Sequence, residues 1–317
     1  MSTPPLLVLG VRRSGTKLLR VVLDRHSQLA IPDESYFIPP LAGRHGATID
    51  VDAFVDDLRR LPTLRDWGVS VEDVRERLRP GLPTGQAIAA VYEQYAVDCG
   101  KSRWGDKTPM YMQHLPLLER LFPDAMYVQL IRDGRDAAAS FLGMPEGIVT
   151  TTWAHPRSAA DFACEWRAQV KAAQALGRRV GPDRYLEVRY EDFVADPPAQ
   201  VERICSFAAL PFEPAMLDYV GHTDAAAKPH QRSLERPPTP GLRDWRNEFG
   251  PEDVAAFEAV AGDLLGELGY ELSSDGRATL AARAKRLSYG ARVSAWLAAS
   301  GALQRSPAWK RRHPPLA

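Results

Sequence analysis

A chain of 317 residues, 45% apolar and 25% charged, can bury one large core or two modest ones. Its 40 basic and 40 acidic side chains balance, which argues against nucleic acid as a partner, and no run of 18 apolar residues is present to span a membrane. Three scattered cysteines without CxxC spacing indicate a reduced compartment and no structural zinc, and the start "MSTPPLLVLGV" lacks the basic flank of a signal peptide, so the expected setting is cytoplasmic.

Along the chain, "PLLVLGV" (5–11) reads as a buried strand and 15–26 as an amphipathic helix, followed by a short strand at 29–31. Helical patterns follow at 71–78, 85–97 and 113–122. A second strong strand, "AMYVQLI" (125–131), leads into helices at 134–142 and 158–178. A third, "YLEVRY" (185–190), precedes helices at 199–208 and 252–266. Strands separated by helices imply parallel pairing, so the expected fold is an α/β, P-loop-like three-layer domain: a central, mainly parallel sheet flanked by helices. That domain is expected over 1–275, with acceptor-side helical insertions at about 35–104 and 144–157, and a C-terminal helical extension over 276–317. The proline-rich stretch 228–245 reads as a long irregular segment.

The first strand runs into "GVRRSGTK" and then a helix. Backbone N–H groups and a positive dipole end converge there, an arrangement that binds an anion. Arg12, Arg13 and Lys17 add cations, and Ser14 and Thr16 add hydroxyl donors around Gly15. A mononucleotide P-loop would read Lys then Ser or Thr, whose hydroxyl holds magnesium; here Thr16 precedes Lys17. A Walker-B strand would end in a metal-binding acid, whereas "YVQLIRDGRD" ends in Arg132. The loop therefore suits an anion whose transfer needs no metal clamp. The seven histidines show no HxxH or HExxH spacing either.

These residues resemble the sulfotransferases that use 3′-phosphoadenosine 5′-phosphosulfate (PAPS), in the bacterial and tyrosylprotein-type branch. In that family an RSGT core, here Arg13-Ser14-Gly15-Thr16, holds the 5′-phosphosulfate. An Arg at a later strand end and a Ser eight residues on, here Arg132 and Ser140 of "LIRDGRDAAASF", grip the 3′-phosphate. Tyr190 of "VRYEDF" corresponds to a tyrosine near the nucleotide, Ser233 to a cofactor-covering loop, and "PGLRDWRNEF" (240–249) to the family's closing segment. Arg12 stands where the branch usually has Pro, and Lys17 where it often has a second Thr, which clouds the sulfonate contacts.

The resemblance also implies catalytic roles. The His base of the "KTH" members is replaced by Pro109 in "GDKTPMY", so another base is needed. The branch places a Glu 21 residues beyond the loop arginine, which lands on Glu34, with His114 and Asp106 in reserve. A carboxylate near its ordinary pKa is a weak base unless partial burial raises it. Lys107 corresponds to the lysine over the bridging oxygen, a role shared with Arg13. The expected enzyme is a sulfotransferase with PAPS as co-substrate and no metal, acting on a small-molecule, glycan, lipid or peptide acceptor. A Mg-ATP small-molecule kinase and a non-catalytic nucleotide-binding protein are the alternatives. Tyr36, Phe37, Trp67, Trp104 and Trp153 are candidates for an aromatic acceptor wall. Residues 276–317 carry nine Lys or Arg and no acid. Their helix either packs on the domain with its arginines wet or makes peripheral contact with an anionic membrane or acceptor.

Overall fold

The computed structural model describes residues 3–145, 152–220, 244–273 and 279–316. Five parallel strands form one sheet: β1 (Leu6–Leu9), β2 (Leu29–Ala30), β3 (Arg103–Asp106), β4 (Met126–Ile131) and β5 (Tyr185–Arg189). Their spatial order is β2-β3-β1-β4-β5, with β1 central. Leu6 lies opposite both Gly105 and Met126, and Tyr127 lies opposite Tyr185.

Both faces of the sheet are buried, which is why β1 and β4 read as continuous apolar runs. Leu7, Leu9 and Tyr127 enter one core with the helices Ile38–His45 and Thr84–Asp98. Leu6, Val8, Val128 and Leu130 enter the other, with the helices Thr16–Asp24 and Pro197–Phe207. A third cluster, including Val11, Ile131, Trp166 and Phe257, packs the helices Ala159–Val180 and Pro251–Glu267 beside the strand tips. Three-layer architecture thus follows from the alternation of side chains along each strand.

Two sequence expectations need correction. β3 was not anticipated, because "RWGD" is not an apolar run; Arg103 is nevertheless buried, donating to the carbonyls of Pro4 (2.6 Å) and Ala208 (2.5 Å). Gly105 is required there, since a Cβ would lie 2.5 Å from the Leu6 carbonyl oxygen. The pattern at 113–122 divides into a 3₁₀ turn, Pro109–Gln113, and a helix, Leu115–Leu121. The insertion at 35–104 is largely helical: besides the two helices anticipated there, it holds Ile38–His45, Val51–Arg59 and Pro62–Trp67.

The C-terminal helix Leu280–Arg305 packs on the domain through the buried Ala282 and Tyr289. Lys285 and Arg292 pair with Asp161, at 2.7 and 3.3 Å, and Arg286 pairs with Asp263. Among the described residues no helix is long and apolar enough to cross a membrane.

Candidate functional site

The loop after β1 turns through two left-handed residues, Arg13 (φ 69°) and Gly15 (φ 87°), and closes with the Ser14 N–H donating to the Val11 carbonyl at 3.1 Å. A left-handed arginine is strained, and such strain concentrates at functional sites. Gly15 has no substitute here, because a Cβ would stand 2.4 Å from the Tyr190 ring. The helix Thr16–Asp24 then begins with no side-chain cap and no acid in its first turn. Among the described residues no side chain caps its first N–H groups, the condition for holding an anion. Ser14 Oγ, buried in the same loop, has no hydrogen-bond partner among the described residues. A buried hydroxyl without a partner is costly unless a ligand engages it. These features fit the phosphosulfate end of the expected donor.

The tip of β4 meets this loop. Arg132 donates from Nη1 to the Arg13 carbonyl at 3.2 Å, and Arg13 donates from Nε to Ser140 Oγ at 3.0 Å. Arg132 also stacks on the Tyr190 ring, 4.7 Å from its centroid, and pairs with Asp136 at 3.4 Å. Trp166 fixes the turn by donating from Nε1 to the Arg132 carbonyl at 3.1 Å. Burial pushes the Asp136 carboxyl up to about 6 against the pull of Arg132, and its other oxygen accepts from the Trp245 N–H at 2.8 Å. The loop, the strand tip, Ser140 and Tyr190 form one connected group at the C-terminal edge of the sheet, where ligands bind in open α/β folds.

Glu34 follows β2 on the same edge and pairs with Lys107, just beyond β3. Lys107 is almost fully buried, and the Tyr36 hydroxyl donates to the other oxygen of Glu34. Burial raises the Glu34 pKa, but Lys107, the Tyr36 hydroxyl and Lys17 together outweigh it and hold the carboxyl below its ordinary 4.5. The condition under which Glu34 would be a stronger base, a carboxyl raised by burial, is thus not met while Lys107 is its counterion. Tyr36 is itself left-handed, at φ 56°.

Beneath the pair lies a buried hydroxyl network. Asp106 accepts from Ser35 and Tyr92, each at 2.8 Å, and from Thr108 at 3.1 Å. Tyr111 joins through Ser35 at 2.7 Å and accepts from the Ile38 N–H. Burial nonetheless pushes Asp106 up to about 6. Enclosed by three donors, Asp106 positions the Glu34–Lys107 segment and is not placed to take a substrate proton. His114 is pulled down to about 4 by burial.

Of the remaining expected site residues, Thr16 is the buried first residue of the helix, and Lys17 reaches toward Asp33 at 3.7 Å. Arg12 turns to Glu165 at 2.7 Å and lies over the Phe141 ring. Ser233 lies outside the described residues. The aromatic wall is also corrected: Phe37 and Trp104 lie inside the core against Tyr92 and Phe122, Trp67 packs partly buried against Phe37 and Tyr92, and Tyr36 and the half-exposed Trp153 remain near the surface. Sequence reasoning missed Tyr36 as a partner of Glu34 and missed the chain from Arg12 through Glu165 to Tyr289, whose hydroxyl donates to Glu165 at 3.0 Å. Nothing in the local sequence marks Glu165 among the other charges of its helix. Among the described residues no three His, Cys, Asp or Glu side chains cluster as a metal site. A cavity of about 920 Å³ lined by Pro4, Arg77, Glu93 and Asp124 opens at the opposite, N-terminal end of the strands, away from this group.

An uncapped glycine loop joined to a strand-tip arginine, with a lysine–carboxylate pair alongside, defines a nucleotide-dependent group-transfer enzyme of the P-loop-like α/β type. The sequence profile of the sulfotransferase family matches residues 4–214, and the chain belongs to that family. It is 28% identical over 283 residues to protein-tyrosine sulfotransferase A of Caenorhabditis elegans, covering 85% of this chain and 68% of that protein. It is 27% identical over 299 residues to the nodulation protein NoeE of Sinorhizobium fredii, covering 84% of this chain and 66% of that protein. The sulfotransferase domain of the Synechococcus PCC 7002 olefin synthase shares the fold, with a TM-score of 0.59 and 24% identity over 86% of this chain and 96% of that one.

Proposed function

We propose that this sulfotransferase takes its sulfuryl group from PAPS, held between the Arg13–Lys17 loop and the Arg132–Ser140 pair, and delivers it to an acceptor hydroxyl deprotonated by Glu34. The observation that carries the reading is the direct link from Arg13 to both Ser140 and Arg132, which supports a single nucleotide engaging both elements. The uncapped helix start and Ser14 would take the phosphosulfate end. Arg132 and Ser140 would take the 3′-phosphate, and Tyr190, stacked on Arg132, would flank the nucleotide.

The transfer forms a bond from the acceptor oxygen to sulfur and breaks the bond from sulfur to the bridging phosphate oxygen, whose electron pair leaves with the nucleotide. Lys107 and Arg13 supply positive charge where that oxygen develops its negative charge, an effect strongest away from water. Glu34 takes the acceptor proton; general-base help contributes about 10²–10⁴-fold. In the free protein Glu34 is held ionised by Lys107. A sulfonate that draws Lys107 away removes the counterion, and the basicity of Glu34 then rises because burial is opposed only by the Tyr36 hydroxyl and Lys17. Donor binding would thus switch on the base.

The family match decides against the kinase alternative. The test is transfer of labelled sulfuryl from PAPS to an acceptor mixture without added metal. Glu34→Gln should lower the rate by about 10²-fold or more while leaving donor affinity within a few-fold; unchanged transfer by Glu34→Gln would remove Glu34 from the mechanism.

A further inference from the structure

Resting on the donor site proposed above, we infer that Asp136 is a third 3′-phosphate residue beside Arg132 and Ser140, and that it meets the phosphate as a protonated acid, so that the nucleotide arrives together with a proton. Asp136 stands four residues after Arg132 and four before Ser140, a spacing that places it between them along one stripe where the chain enters the helix Gly134–Leu142. Of residues 134–141 it alone is not buried, and its side chain keeps 16% of its exposure. One oxygen, Oδ2, lies 3.4 Å from Arg132 Nη2. The other, Oδ1, accepts from the Trp245 N–H at 2.8 Å, in the segment that leads into the helix Pro251–Glu267. A phosphate gripped by Arg132 and Ser140 therefore meets Oδ2 as well.

The charges around Asp136 decide which form can stay there. Burial raises its carboxyl, and Asp133 and Glu191 add to the rise; Arg132 and the Trp245 N–H oppose it. The dipole of its own helix also favours the carboxylate. The two neighbouring carboxylates have partners of their own. Asp133 pairs with Arg135 at 2.7 Å, and Glu191 accepts from the Asp133 N–H at 2.9 Å and from the Tyr270 hydroxyl at 3.0 Å. The other cations nearby are engaged elsewhere: Arg135 with Asp133 and Glu258, Arg246 with Asp244 at 3.4 Å, and Arg13 with Ser140 at 3.0 Å. Tyr190, its ring against Arg132, brings no charge. Arg132 is thus the cation that Asp136 shares with an incoming phosphate.

Once Arg132 turns to the phosphate, Oδ2 faces a second anion across the same cation. Like charges at that range disfavour ionisation, and the carboxyl already raised to about 6 is the one that takes up the proton. The proton comes from solvent and sits on Oδ2, no other bond changes, and the new O–H donates to a phosphate oxygen. A hydrogen bond from an acid to an anionic oxygen is short and strong. Oδ1 keeps its bond to the Trp245 N–H, so the acid ties the phosphate to the segment ahead of the helix Pro251–Glu267. A nucleotide without a 3′-phosphate gains none of this.

Calorimetry of the full chain with 3′,5′-adenosine bisphosphate, in two buffers of different ionisation enthalpy, counts the protons. A roughly tenfold preference of the phosphate for the protonated carboxyl gives an uptake of about 0.4 proton per nucleotide at pH 7 in the wild type beyond that in Asp136→Asn. The nucleotide's own phosphates contribute alike to both proteins. The asparagine amide offers an N–H to the phosphate and an oxygen to Trp245, so Asp136→Asn should bind the bisphosphate about 10-fold more tightly than the wild type at pH 8.5. The gap should close as pH falls to 5. Carbon NMR of labelled aspartate in the wild type decides the matter without a variant: at pH 7 the bisphosphate should turn Asp136 from mostly ionised to about half protonated. Equal proton uptake in the two proteins, weaker binding by Asp136→Asn, or a carboxyl signal unmoved by the nucleotide would mean that Asp136 only orients Arg132, and overturns the inference while the donor site stands. Failure of the bisphosphate to bind the wild type overturns the donor assignment and the inference together.

Discussion

Replacing Lys107 by Met tests the balance that sets Glu34. The ammonium is almost completely enclosed, whereas the Glu34 side chain keeps 28% of its exposure. Removing one partner of a fully buried ion pair costs roughly 3–5 kcal/mol, and the remaining access of Glu34 to water brings the expected loss to about 2–3 kcal/mol at pH 7. In the wild type the carboxyl lies below its ordinary 4.5, so the pair's stabilisation is fully present above pH 4.5 and is lost as pH falls through the lowered value. Without Lys107, burial prevails over Tyr36 and Lys17, and the Glu34 carboxyl moves above 4.5. Ionising it then costs stability as pH rises. The difference between the two proteins should consequently be smallest at pH values below the lowered wild-type value and grow to its full size by about pH 7. Urea unfolding at a series of pH values measures this difference, and carbon NMR of labelled glutamate follows Glu34 directly. A stability difference that stays flat with pH, or a Glu34 carboxyl still below 4.5 in Lys107→Met, would refute the reasoning.

Gly15→Ala forces a side chain onto a left-handed residue and into the Tyr190 ring. It should destabilise by about 2 kcal/mol and weaken nucleotide binding at least 10-fold; adding Tyr190→Ser should recover the collision part of the stability loss but not the backbone part, as read by urea unfolding. Asp106, raised by burial from its ordinary 3.8 to about 6, loses favour in the folded state as it ionises across that window. Relative to Asp106→Asn, which keeps an acceptor oxygen for the three hydroxyl donors, the wild type should lose about 2 kcal/mol between pH 4 and pH 7; a constant difference over that range would contradict the assignment.

What the sequence revealed was whatever depends on local pattern. β1 and β4 are buried on both faces and so stand out as short apolar runs between turn residues, and the glycine loop between β1 and its helix was readable from the spacing of Gly10, Gly15 and the basic residues. β3 was invisible because its burial depends on distant carbonyls that satisfy Arg103, and on the close approach of Leu6 to Gly105. Glu34 could be located, but not its ionisation, which is set by a lysine 73 residues away. The same holds for Phe37, Trp67 and Trp104: aromatic residues spaced along the insertion could line a pocket or stack in a core, and only the ring geometry decides. Arg12 read as part of the donor loop, whereas Glu165 and Tyr289, far along the chain, draw it toward the C-terminal helix.

The most direct test of a single nucleotide gripped by both elements is metal-free calorimetry comparing 3′,5′-adenosine bisphosphate with ADP, in the wild type and in Arg132→Ala. The account predicts that the wild type binds the bisphosphate at least 10-fold more tightly than ADP, about 1.4 kcal/mol, and that Arg132→Ala binds both alike. Equal binding of the two nucleotides by the wild type, or an undiminished preference without Arg132, would contradict it.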